Sequence, residues 1–113
     1  MLVDDAETLR EGELAPGMQA LVRQARDKAW GVVVAGLNTD LGSGLSGWMY
    51  EARRGRQGLL LSPQSIVEGE TVGVRLTRSM VSPRVVPGRG LLAGTGGDPV
   101  LVQVPWVEPA LVL

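Results

Sequence analysis

Trp30-Gly31-Val32-Val33-Val34-Ala35 is an apolar run with three successive β-branched residues. A strand with one wet face alternates apolar and polar residues. A run without alternation suits a strand covered on both faces, as in a parallel sheet. On the N-terminal side, Met1-Leu2-Val3 ends in Asp4-Asp5 and reads as the tail of another buried strand. It is shorter than the typical strand of about five or six residues. Between the two runs, Glu7 to Glu13 begins as a helical turn and loosens at Gly12. Pro16 suits the first turn of a helix. Met18, Leu21, Val22 and Ala25 follow at helical spacing, with Arg23, Gln24, Arg26 and Asp27 on the other face, so a helix ending near Lys28 is predicted.

On the C-terminal side, Gly36 to Gly44 is rich in loop formers. Leu45, Trp48, Met49 and Ala52 recur at i, i+3, i+4 and i+7, which predicts a second amphipathic helix. Arg53, Arg54 and Arg56 stand at its C-terminal end, where cations complement the helix dipole. Leu59-Leu60-Leu61 reads as a third buried strand stopped by Pro63. Val72, Val74 and Leu76 alternate with other residues in the pattern of a half-exposed strand. Leu91-Leu92-Ala93 and Val100 to Val104 flank Gly94-Thr95-Gly96-Gly97-Asp98-Pro99 and read as a hairpin. Strand, helix, strand, helix, strand and then a β-rich end define an α/β chain: a parallel sheet closed by antiparallel strands. Neither a repeat nor a linker divides residues 1–113.

Composition narrows the chemistry. Hydrophobic residues make up 44%, enough for a packed core. The 11 basic and 12 acidic residues leave no overall electrostatic footprint for nucleic acid. Cysteine and histidine are both absent, which removes disulfides, thiolate metal sites and the usual general base. Chemistry must then come from carboxylates, amides, hydroxyls and arginines. No apolar run approaches the roughly 20 residues of a membrane span. Asp4, Asp5 and Glu7 oppose the basic start of a signal peptide, so the chain reads as cytoplasmic.

Each candidate motif has a plain alternative. Leu2-Val3-Asp4-Asp5 is an apolar strand followed by adjacent acids. One carboxylate at a strand's carboxyl end can hold a nucleotide-bound magnesium, and a second can position water. It reads equally as an acidic turn, and Glu7 as a solvated first-turn acid. Asn38 and Thr39 follow the valine strand, where ligands of open α/β sheets bind. They can sense a phosphate, or simply make an Asx turn. Pro87-Gly88-Arg89-Gly90 holds one arginine between flexible residues, suited to a phosphate or a neighbouring subunit, or to a tight turn with an exposed charge. Gly94-Thr95-Gly96-Gly97 lacks a following Lys and helix, so it is a hairpin turn and no phosphate cradle. Trp30, Trp48 and Trp106 are expected in a core or an interface.

Taken together, these strings resemble the C-terminal half of the FtsK/SpoIIIE ATPase domain, with the closest likeness to the degenerate, C-terminal ATPase-like modules of type VII (ESX) secretion motors. Leu2-Val3-Asp4-Asp5-Ala6-Glu7 sits at that family's Walker B strand, and Trp30 to Ala35 at the following sensor strand. Val72-Gly73-Val74-Arg75-Leu76 and Pro87 to Leu92 resemble its closing segment; Val100 to Trp106, with Gln103, resembles its last strand. The resemblance implies a partial RecA-like fold, Asp4 at the metal and Asp5 polarising water. It implies Mg-ATP as cofactor of the complete parent, contacted by Asn38, Thr39 and Arg89. The implied partners are the rest of the ATPase or neighbouring subunits in a ring, and export proteins. DNA is the cargo of some relatives, and contact with a membrane comes through a separate anchor.

The chain departs from that family in lacking any Gly-x-x-x-x-Gly-Lys-Ser/Thr, the loop that cradles phosphates. Gly36-Leu37 also stands where relatives often carry polar or basic residues. No nucleotide binding is expected of this chain alone. A central strand is missing too, which predicts open strand edges and uncovered apolar surface. Val32–Val34 and Leu59–Leu61 should flank its place. Direct pairing of the two is expected, because unpaired buried amides cost about 1–3 kcal/mol each. The competing functions are a piece of an ATPase, a non-catalytic binding or assembly module, and part of a DNA-translocating motor.

Overall fold

The computed structural model describes residues 1–44, 46–94 and 97–110. Strand β1, Leu2–Val3, pairs in parallel with β2, Val33–Val34, with Leu2 opposite Val33 and Val3 opposite Val34. The crossover between them is helix α1, Ala15–Asp27, with Pro at its start. A single turn α2, Asn38–Leu41, and helix α3, Trp48–Arg53, follow. Strands β3, Gly58–Leu61, β4, Arg89–Ala93, and β5, Val100–Gln103, form a three-stranded antiparallel sheet in the order β3-β4-β5. The chain is thus a mixed α/β fold: a short parallel pair with helices, and an antiparallel sheet at the C-terminal end.

The helices form where the apolar spacing predicted them. Val22 and Ala25 of α1 are buried, with Met18 packed beside them, whereas Leu21 is exposed. Burying a Val or Met side chain contributes about 1.5–3 kcal/mol. α1 packs on α3, whose Trp48 and Met49 are buried with Ala6 and Val22 in one core. Leu45, counted in the predicted apolar face of α3, lies outside the described residues.

The α1–α3 contact also carries a charge cluster. Arg26 donates to the Glu51 carboxylate at 3.2 Å, Arg54 lies 3.4 Å from it and Arg23 3.7 Å. Partial burial raises the Glu51 pKa, but the hydrogen bond from Arg26 and the charges of Arg54 and Arg23 outweigh it, so the carboxyl lies below its ordinary value. A depressed folded-state pKa adds stability above the unfolded pKa, and that contribution is lost as pH falls through the folded value. Acidification from neutral pH should therefore destabilise the wild type more than Glu51→Gln. Urea midpoints of both chains at pH 7 and pH 3 check this; equal falls would remove Glu51 from the account.

A second core lies under the antiparallel sheet, where Leu60, Val72, Leu76, Leu91 and Ala93 are buried. Here the structure corrects two expectations. Leu59–Leu61 is no member of the parallel sheet; it pairs antiparallel with β4, Leu60 opposite Leu91. It does not close onto β2 either, because its backbone finds partners on β4 and the β2 edge stays open. Val72 to Leu76 is no strand. Ile66–Val72 forms a 3-10 helix, capped by the Ser65 hydroxyl and the Glu68 carboxylate, which accepts from the Gln64 and Ser65 amides at 2.6 and 2.7 Å. That reciprocal cap satisfies orphan amides at the helix start and fixes its direction. Gly69 is buried, and a Cβ there would strike the Val74 carbonyl and Leu76. The chain folds tightly back at this point, so Val72 and Leu76 reach the core without pairing as a strand.

The predicted hairpin is present, with Leu92 opposite Val100 and Arg89 opposite Gln103. Its turn residues Thr95 and Gly96 lie outside the described residues. Both sheets leave apolar surface uncovered. Val33 is 59% exposed against the full cover expected of a parallel strand, and Leu59, Leu61, Leu92 and Val100 share one open face of the antiparallel sheet. The radius of gyration, 15.0 Å, exceeds the roughly 13 Å of a closed domain this size. Among the described residues no helix is long and apolar enough to cross a membrane.

Candidate functional site

The carboxyl ends of β1 and β2 lie side by side because the two strands are parallel and in register. The Ala35 amide donates to the Val3 carbonyl at 2.8 Å, and the Ala6 amide to the Ala35 carbonyl at 3.0 Å. These bonds carry the pairing just past the strands and bring Asp4, Asp5, Glu7, Gly36 and Asn38 to one edge. Asp4 and Asp5 are exposed. The Asp4 Oδ1 accepts the Asp5 amide at 2.9 Å, which turns the chain out of the strand. Asp5 has φ 48° and ψ 45°, a left-handed conformation that Asp tolerates better than most residues with a Cβ. Its carbonyl receives the Thr8 amide at 3.0 Å and the Thr8 hydroxyl at 2.8 Å. The Thr8 hydrogen bonds hold Asp5 in this conformation at the strand end, next to the exposed Asp4.

Glu7 opens the 3-10 turn Ala6–Leu9. Its Oε2 is buried and has no hydrogen-bond partner, and the same holds for the Asn38 Oδ1 at the start of α2. Native proteins rarely leave such acceptors unpaired. A Cβ at Gly36 would collide with the Glu7 Oε2. Glycine there leaves room for the Glu7 carboxylate to lie against the end of β2. The reading of Glu7 as a solvated acid is corrected: one oxygen is enclosed.

The loop that carries Asn38 and Thr39 is less irregular than its composition suggested. Leu41 and Gly42 amides donate to the Leu37 and Asn38 carbonyls at 2.9 Å, closing the turn α2. Arg53 anchors it from α3, donating to the carbonyls of Leu41 at 2.8 Å, Ser43 at 3.0 Å and Gly44. Arg53 therefore does more than complement a dipole; it binds loop carbonyls nine to twelve residues away. No local pattern could have announced that.

Arg89 stands apart, on β4 of the other sheet, with an exposed side chain. Its carbonyl accepts the Ser62 amide at 2.8 Å, and the flanking glycines are structural. Gly88 has φ 76°, and a Cβ would meet the Val104 carbonyl at 2.5 Å; a Cβ at Gly90 would meet the Leu60 carbonyl at 2.6 Å. The turn is needed by the backbone, and the guanidinium is left over for other contacts. Of the tryptophans, only Trp48 is core; Trp30 is 52% and Trp106 85% exposed.

Comparison with protein-family models, curated proteins and solved structures finds no match to this chain.

The edge fits one side of a magnesium nucleotide and not the other. Among the described residues no group of three or more carboxylates converges as a metal cage. Magnesium does not need one, since it is commonly held by one or two carboxylates, waters and substrate phosphates. Asp4, exposed at the strand end, can supply one such carboxylate. The donors for a triphosphate are missing from this edge, because no glycine-rich loop with Lys opens a helix here.

Proposed function

We propose that this chain is the Walker B half of an FtsK/SpoIIIE-type ATPase module of the type VII secretion kind. In a complete module it works in the cytoplasm, at the inner face of the membrane through a separate anchor, and couples ATP hydrolysis to movement of export proteins. The observation that supports the reading is the edge itself. Paired acids leave the carboxyl end of one strand, and an asparagine with an unpaired buried oxygen follows its parallel neighbour. When bound, Mg-ATP supplies the metal charge and the phosphoanhydride bond. Asp4 would hold the hydrated cation, Asp5 would accept the proton of a water at its carboxylate, and Asn38 and Thr39 would position that water. Arg89, exposed at the start of β4, serves a neighbouring subunit in a ring.

A second reading, a non-catalytic binding or assembly module, is favoured by the open face of Leu59, Leu61, Leu92 and Val100. Two measurements separate them. Sequence upstream of Met1 carrying an in-frame Gly-x-x-x-x-Gly-Lys-Ser/Thr supports the ATPase reading; a stop codon weakens it. Calorimetry of this chain with Mg-ATP should show no saturable heat, since backbone amides of the missing loop carry the triphosphate. A micromolar dissociation constant would sink the half-site reading. Capture of small helical-hairpin export proteins by this chain alone would favour the binding module.

A further inference from the structure

A cleft of about 640 Å³ opens between α3 and the 3-10 helix Ile66–Val72, away from the acid edge. Arg53, Arg54, Arg56 and Arg75 line it, with Glu70 the one acid. In a chain of net charge −1 this is a local concentration of positive charge. Arg53 is spent on loop carbonyls and Arg54 leans to Glu51. Arg56 and Arg75 make no side-chain hydrogen bond or ion pair among the described residues. Arg56 is also held in position. Its φ is 52°, and a Cβ on left-handed Gly73 would lie 2.7 Å from its Cγ, so the arginine stem lies flat on bare backbone. Two free guanidiniums thus flank a wall that includes Ile66 and Val67, 49% and 62% exposed.

The complementary chemistry is an acid among apolar residues on a stiff, extended backbone. This chain carries such a segment. Val104-Pro105-Trp106-Val107-Glu108-Pro109-Ala110 leaves β5 without regular structure, with Trp106 85% and Val107 74% exposed. The two prolines hold their preceding residues extended, which reduces the entropy lost on docking. Tryptophan and arginine are also the side chains most often dominant in interfaces. We propose that the arginine cleft receives residues Val104–Ala110 of a second copy of this chain, with the Glu108 carboxylate between Arg56 and Arg75 and Trp106 against Ile66 and Val67. Reciprocal exchange of the segments closes a two-fold dimer.

Sedimentation of the chain from about 1 to 100 µM should show a reversible dimer, as expected of a small interface. A fluorescein-labelled peptide of residues Gln103–Ala110 should bind the chain saturably by anisotropy. Arg75→Glu and Glu108→Lys should each weaken the dimer at least tenfold. Both side chains lie on exposed residues, so circular dichroism melts should be unchanged. An equimolar mixture of the two variants should recover dimer, because each brings one swapped partner. Self-association that survives both reversals belongs to the open leucine face and overturns the proposal. So does a monomer at every concentration, or a cleft that binds inorganic pyrophosphate through Arg75 but not the peptide.

Discussion

Trp48→Ala should destabilise this protein more than any other single truncation considered. Trp48 is 1% exposed and sits where α1, α3 and the turn after β1 meet, with Ala6, Val22 and Met49 around it. Truncating a buried tryptophan costs about 3–5 kcal/mol through lost transfer energy and the cavity left behind. Its indole N–H also donates to the Leu9 carbonyl at 2.7 Å, so the substitution strips that carbonyl of its donor. Domains of this size have only about 5–15 kcal/mol in hand. With a urea slope of about 1–3 kcal/mol per molar, the midpoint should fall by more than about 1 M. Trp106→Ala is the internal comparison, since an exposed side chain should change stability by no more than about 0.5 kcal/mol. A Trp48→Ala loss below about 1 kcal/mol would mean that the N-terminal core is not assembled around it.

Asp5→Asn should abolish most turnover in a chain that carries this segment behind an intact phosphate loop. Loss of a positioned proton acceptor typically costs about 10²–10⁴-fold in rate. The ATP KM should stay nearly constant, because Asp5 touches water rather than nucleotide in this reading. Asp4→Asn should instead raise the magnesium needed for half-maximal rate, as removal of a cation ligand does. Glu7→Gln is the informative third variant. Its buried, unpaired Oε2 makes Glu7 the competing proton acceptor at the same edge. If Glu7→Gln silences the enzyme and Asp5→Asn leaves it within about threefold, the role passes to Glu7 and the assignment of Asp5 fails. If neither substitution moves the rate, the edge is an acidic turn and nothing more.

The two expectations converge on one stretch. Ala6 is fully buried in the core of Trp48, while Asp4, Asp5 and Glu7 flank it at the strand edge. Loosening that core should therefore disturb the acids as well. An Asp5→Asn chain that melts like the wild type would show that its loss of rate is chemical.

What the sequence determined by itself is the set of features built from neighbours in the chain. Helix α1 follows from apolar spacing and Pro16, the β4–β5 hairpin from two apolar runs around a Gly-rich turn, and the acid edge from an apolar run ending in Asp4-Asp5. Each depends on contacts within a few residues, where period and turn chemistry speak directly. The capping box of Ser65 and Glu68 was equally local, but the alternation of Val72, Val74 and Leu76 masked it. Tertiary structure alone decided the partner of Leu59–Leu61, because a leucine run suits a parallel or an antiparallel neighbour equally, and β4 offered a complete ladder. It also decided that Glu7 is enclosed and that Arg53 holds the Asn38 loop. Burial of a carboxylate and the reach of a guanidinium depend on what lies across space, and spacing along the chain carries no record of that.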